Sequence, residues 1–108
     1  MSVSTHVLDG ITGRPAAGVS VLLERAAGLA WEQVRTESTD ADGRIGSLGE
    51  VSAGVHRITF DTGAYYGALG IETFYPQVTV VFDVTDPGRH HHVPLLLSPF
   101  AYSTYRGS

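Results

Sequence analysis

His6, Arg44 and His92, with the run Tyr105, Arg106, Gly107 and Ser108, are the residues whose types can do chemistry without a cofactor. A neutral imidazole can take a proton from water, a guanidinium can steady negative charge growing on an oxygen, and the water can then attack an activated carbonyl. That combination is hydrolysis. Each residue also has an ordinary reading: a strand histidine is commonly structural, an arginine after a turn is commonly solvated, and residues 105–108 would be a frayed tail. Other chemistries lack their residues. With no cysteine there is no thiol nucleophile, disulfide framework or thiolate metal site, and neither a glycine-rich phosphate loop nor a Gly-x-Ser-x-Gly elbow occurs. The run His90-His91-His92 invites a zinc reading because imidazole is a common ligand. Alternate strand residues such as His90 and His92 make only part of a site, no third ligand is identifiable nearby, and the expectation is no metal and no cofactor.

Strands must position these groups. Side chains on a strand alternate, so His90, His92, Pro94 and Leu96 share one face while His91, Val93, Leu95 and Leu97 share the other. The second set can build core, leaving His92 at the mouth of a pocket. After the Ser98-Pro99 break, alternation resumes over residues 102–105, and if two adjacent strands form, His92, Leu96, Ser103 and Tyr105 line one surface. Val3–Asp9 alternates likewise, with Ser4, His6 and Leu8 opposite Val3, Thr5 and Val7. The turn signal Thr39-Asp40-Ala41-Asp42-Gly43 delivers Arg44 directly into a short edge strand over residues 44–48.

The rest of the chain supplies scaffold. Residues 10–18 carry turn signals, a strand begins at Val19, residues 26–30 read as a connection, and residues 31–38 form its hairpin partner. Residues 54–61 form another strand. Residues 62–69 are the one plausible helix, with Asp61 or Thr62 as N-cap and Gly70 as a left-handed stop. A long strand is predicted from Phe74, with Pro76, Val78, Val80 and Phe82 on the same face, and Asp86-Pro87-Gly88 turns it back. Six to eight short strands and one short helix make an all-β sandwich of two sheets the natural architecture.

At 108 residues the chain fits one domain, residues 1–108, with no linker dividing it. The net charge is −4, no lysine occurs and the arginines are scattered, which argues against a nucleic-acid surface. No basic segment followed by an apolar run opens the chain, and no stretch of about 18 apolar residues could span a membrane, so a soluble cytoplasmic protein is expected.

Three segments carry a resemblance. SVSTHVLDGITGRPAAGVSVLLE, DTGAYYGALGIETFYPQVTVVFDV and HVPLLLSPFAYSTYRGS together resemble the transthyretin-like family, and specifically its enzyme branch, the 5-hydroxyisourate hydrolases. The resemblance implies a transthyretin-like sandwich of about eight strands and marks His6 in STHVLD, Arg44 in DGRI, His92 in HVPLLL and the Tyr105, Arg106, Gly107, Ser108 tetrapeptide as site residues. His90 and His91 receive no assignment. It further implies a homotetramer, a dimer of dimers, with sites in a channel where the dimers meet. The small-molecule substrate would be 5-hydroxyisourate, opened by water to 2-oxo-4-hydroxy-4-carboxy-5-ureidoimidazoline in urate breakdown, with no cofactor. His92 and His6 would activate water together, Arg44 would polarise a substrate oxygen, Arg106 and Ser108 would orient the ring through a guanidinium and a hydroxyl or terminal carboxylate, and Tyr105 would pack nearby. Two alternatives remain: a non-catalytic carrier of small aromatic ligands, and a structural sandwich module.

Overall fold

A computed structural model describes residues 2–108 and shows two β-sheets packed face to face with one short helix. The first sheet is assembled on β1 (Val3–Asp9), whose alternation is expressed directly: Val3, Thr5, Val7 and Asp9 are at most 1% exposed, while His6 and Leu8 on the opposite face stay part-exposed. β2 (Arg14–Pro15) and β5 (Arg44–Ile45) pair antiparallel with β1; β8 (His91–His92) and β9 (Leu95–Ser98) pair parallel with it; β10 (Ala101–Thr104) adds antiparallel to β9. The second sheet is wholly antiparallel, in the order β4 (Ala30–Ser38), β3 (Ser20–Ala27), β6 (Gly54–Phe60) and β7 (Val78–Val84). Val3, Val7, Leu95 and Leu97 from one sheet share a buried core with Val21, Leu23, Ile58, Phe60 and Val78 from the other. The predicted all-β sandwich is therefore present, and the reason is the alternation itself, since each sheet has one apolar face to hide.

Three local expectations change. Residues 26–30 are not a loop, because β3 and β4 stay paired out to Ala27 opposite Ala30 and only Gly28 and Leu29 make the turn. Gly28 takes φ +63°, which a two-residue hairpin turn needs at one of its central positions, so a single glycine suffices and the flanking alanines remain in the ladder. The register slips between Leu23 and Glu24, which explains the blurred alternation along β4. The strand predicted from Phe74 starts only at Val78. Pro76 has no N–H for a ladder, and residues 71–77 form cross-links instead: Gly63 N–H donates to the Pro76 carbonyl at 3.0 Å, and Phe74 N–H and the Thr73 hydroxyl donate to the Pro99 carbonyl at 2.8 and 2.7 Å. Finally, the closing strand is broken at Val93-Pro94 into β8 and β9, because Pro94 cannot donate.

The helix α1 (Thr62–Ala68) forms where its caps direct it. The Asp61 carboxylate accepts from Ala64 N–H at 3.2 Å, and Gly70 follows the helix at φ +69°. Seven residues have little stability of their own, so tertiary contacts must hold them. The Tyr65 and Tyr66 hydroxyls donate to the two Asp9 carboxylate oxygens at 2.9 and 3.4 Å, and Ile11 N–H donates to the same carboxylate at 2.8 Å. Burial, the bond to Asp9 and its charge push the Tyr65 phenol up to about 12, so it remains a donor at every ordinary pH. Replacing Asp9 by Ala would strand these donors, of which the Tyr66 hydroxyl is buried and the Tyr65 hydroxyl part-buried. A loss of about 2–4 kcal/mol is expected, read from the urea midpoint, and adding Tyr65→Phe should cost much less in the Asp9→Ala background than alone.

Candidate active site

Arg44 is delivered by a turn that the backbone closes tightly. The Asp40 carboxylate accepts from Asp42 N–H and Arg44 N–H, both at 2.9 Å, and Gly43 adopts φ +72°. A Cβ at Gly43 would collide with the Val7 carbonyl, so this close approach to β1 requires glycine. β5 then places Arg44 opposite His6 in the β1 register. His6 Nε2 lies 2.9 Å from the Asp42 carbonyl. A carbonyl can only accept, so this bond sets the His6 proton on Nε2 and leaves Nδ1 with the lone pair in the neutral ring.

On the other edge of β1, β8 sets His92 opposite Ser4. The Ser4 hydroxyl stands 2.7 Å from His92 Nδ1 and 2.7 Å from His90 Nε2. His92 titrates below the ordinary imidazole value of 6.5: burial disfavours its cation most, and the charges of Arg44, His90 and His6 act the same way, opposed by a hydrogen bond to the Ser4 backbone. A neutral imidazole at neutral pH is the state a general base requires.

The tail does not fray. β10 ends at Thr104, whose hydroxyl donates to the Pro94 carbonyl at 2.7 Å, and Gly107 N–H then donates to the His92 carbonyl at 2.9 Å. Gly107 rests against the His92 ring so closely that a Cβ there would overlap Cδ2. The consequence is a cleft of about 230 Å³ lined by Ser4, Thr5, Arg44, His90, His92 and Ser108, among others. Tyr105 and Arg106 line a neighbouring hollow of about 170 Å³ with His91, Val80 and Phe82, and His92 borders both spaces.

The sequence-derived set is thus brought to one region but divided. Arg44, His92 and Ser108 share the cleft; His6 stands beside Arg44; Gly107 packs on His92; Tyr105 and Arg106 lie on the far side of His92. The expected pairing of Leu96 with Ser103 is present, whereas Tyr105 lies beyond the end of β10. The sequence assigns no role to Ser4 or His90, although alternation puts Ser4 on the face of His6 and His90 on the face of His92. What was missing was the β1–β8 register that joins the two faces. His91, on the opposite face, is buried, its Nδ1 donating to the Arg89 carbonyl at 2.9 Å. Among the described residues no group of three or more histidine and carboxylate side chains is arranged to hold a metal ion, and no helix is long and apolar enough to cross a membrane.

Comparison with known proteins agrees with this architecture. A 5-hydroxyisourate hydrolase of Salmonella dublin is 46% identical over 109 aligned residues, covering 98% of this chain and 80% of that protein. The structure of Klebsiella pneumoniae 5-hydroxyisourate hydrolase superposes with a TM-score of 0.90 at 37% identity, over 100% of both chains. Sea bream transthyretin, in complex with thyroxine, superposes with a TM-score of 0.93 at 37% identity, over 99% of this chain and 95% of that one. The model of the HIUase/Transthyretin family matches residues 3–107, and the chain belongs to that family.

Proposed function

We propose that this chain, as one domain over residues 1–108 in the cytoplasm, hydrolyses 5-hydroxyisourate to 2-oxo-4-hydroxy-4-carboxy-5-ureidoimidazoline in urate breakdown. The observation that carries this reading is a His92 ring biased to its neutral form in the same cleft as the Arg44 guanidinium. Water adds to the ring carbonyl that becomes the product carboxyl, His92 takes the water proton with His6 assisting, and Arg44 meets the charge developing on the carbonyl oxygen. The ring C–N bond then breaks, and the proton held on imidazole passes to the departing nitrogen. Ser108 orients the substrate from the cleft wall, Gly107 fixes the His92 ring, and Tyr105 and Arg106 shape the neighbouring hollow. This chemistry needs no metal.

The second reading, a carrier, is favoured by the likeness to a transthyretin crystallised with thyroxine. Turnover separates the two. Purified protein is expected to accelerate the absorbance decay of freshly generated 5-hydroxyisourate equally with and without chelator, and His92→Ala should slow it by about 10²–10⁴-fold, the usual size of a lost acid–base group. Protein that binds the compound without accelerating its decay would make the carrier reading correct. Because His92 titrates low, kcat should hold as pH falls through 6.5 and decline only below it; a decline centred above 6.5 would exclude His92 as the base.

Gly107→Ala tests the tail without removing it. The added methyl displaces the His92 ring, and a displacement near 1 Å can slow a positioned reaction by about 10²-fold. Turnover should fall by that order while the far-ultraviolet circular dichroism stays unchanged; full activity would remove the tail from the site.

We also assign the protein to a homotetramer, a dimer of dimers. Leu96 is 43% exposed on the face that carries His92, and Phe100 and Tyr105 nearby in sequence are exposed as well, apolar surface that association would cover. Light scattering at micromolar concentration should give four times the chain mass; a monomer would refute the assignment.

A further inference from the structure

The Ser4 hydroxyl sits between two imidazoles, and proton counting restricts what it can do. Its contacts to His92 Nδ1 and His90 Nε2 are each 2.7 Å, and each needs one proton between the heavy atoms. A hydroxyl has a single proton, so one of the two ring nitrogens must supply the other. Two arrangements satisfy this. In the first, His92 Nδ1–H donates to Ser4 Oγ and Ser4 O–H donates to His90 Nε2, leaving the lone pair of neutral His92 on Nε2. In the second, both protons are shifted toward His92 and the neutral ring carries its proton on Nε2. The first also leaves the neutral His90 proton on Nδ1, 3.4 Å from the Ser2 hydroxyl, a weak third link in the same direction.

We propose that Ser4 is a positioning residue that couples His92 to His90, so that uptake of a proton at His92 Nε2 is matched by loss of its Nδ1 proton through the Ser4 hydroxyl to His90. This rests on the hydrolase reading above. In the first arrangement His92 Nε2 is the base. When it takes the proton of the attacking water, the Nδ1 proton moves to Ser4 Oγ and the Ser4 proton moves to His90 Nε2. The bonds made are N–H on His92 Nε2, O–H on Ser4 and N–H on His90; those broken are O–H of water, N–H at His92 Nδ1 and the original O–H of Ser4. His92 ends neutral with its proton on Nε2, and His90 ends as imidazolium. The reverse shift restores the lone pair when Nε2 gives its proton to the departing nitrogen.

The relay has a physical reason. A cation on His92 is disfavoured by burial and by Arg44, His90 and His6, and the remaining ionisable side chains bordering that ring are Asp83 from β7 and His91, Tyr105 and Arg106 in the neighbouring hollow. His90 is exposed, so the same charge placed there is hydrated. The charge is thereby carried from the part-buried His92 ring to the solvent-exposed His90 ring while the proton stays where the leaving nitrogen needs it.

Two readouts decide the matter. In protein with ¹⁵N-labelled histidine at pH 8, His92 should show a single Nδ1–H tautomer, which Ser4→Ala shifts toward Nε2–H and Ser4→Thr keeps. In turnover, Ser4→Ala and His90→Gln should each lower kcat by at least about tenfold, the double variant should be no worse than either single one, and Ser4→Thr should recover most of the rate. His90 is on the surface, so His90→Gln keeps the test intact if Ser4→Ala folds poorly. An unchanged tautomer in Ser4→Ala, an unchanged kcat in His90→Gln, or additive losses in the double variant would overturn the relay. A wild-type protein that does not turn over 5-hydroxyisourate would remove the hydrolase reading, and the tautomer measurement would then still decide whether Ser4 sets the His92 proton.

Discussion

The two hydrogen-bonding edges of β1 are the constraint on which the rest depends. One edge is taken by β2 and β5, the other by β8 and β9, so a strand of seven residues fixes four partners. Arg44 comes to His6 across the first edge and His92 comes to Ser4 across the second, although Ser4 and His92 are 88 positions apart in sequence. No loop has to hold these groups. Their separation is the spacing of adjacent strands, roughly 4.7–4.9 Å, and it is maintained by the same backbone bonds that make the sheet. The core beneath β1 then keeps the strand from rotating, because a one-residue slip would expose Val3, Thr5 and Val7 together.

Charge is distributed on the same plan. The cleft is bordered by Arg44, His90 and His92 and, among the described residues, by no aspartate or glutamate side chain. Two carboxylates near the site in sequence are used elsewhere: Asp9 is turned inward to hold the two tyrosines of α1, and Asp40 holds the turn before Arg44. On the cleft side of His92 the neighbouring charge is the Arg44 guanidinium, which disfavours the imidazolium, and the one carboxylate bordering the ring, Asp83, lies on the side of the other hollow.

The sequence carried the faces more clearly than the pairings. Alternation over Val3–Asp9 and over residues 90–97 separates inward from outward side chains except at Ser4 and Pro94, which sit on the outward face yet are buried, and the Asp-rich turn before Arg44 is legible because its glycine and Asx chemistry are local. Register was not legible, since it is set by hydrogen bonds between segments far apart in the chain, and without it neither the Ser4–His92 contact nor the division of the tail between two hollows could be seen. The false strand at Phe74 has a related cause. Phe74 is 71% exposed and touches only the edge of Tyr75, 5.2 Å away, while Tyr75 packs 5.0 Å from Tyr102, and the Phe74 N–H is claimed by the Pro99 carbonyl and not by a neighbouring strand. A period of two reports which side is apolar, and a backbone that alternates for packing alone gives the same signal as one that alternates in a ladder.

The separation of faces also explains how one scaffold can serve different ends within this family. The residues that hold the two sheets together, such as Val7, Leu95 and Leu97, lie on the inner side of β1 and β9, while His6, His92 and Leu96 lie on the outer side of the same sheet. Outer positions can change without opening a cavity in the core, so a superposition as close as that with sea bream transthyretin is compatible with a different use of the surface. What cannot change freely is a residue whose backbone and side chain serve both roles. Gly107 is one: its N–H closes the tail onto the His92 carbonyl, and the space where its Cβ would be is filled by the His92 ring. Any larger residue there must move either the tail or the imidazole. The tail and the histidine therefore work as a unit, and a chain that retained one without the other would keep the sandwich and lose the site.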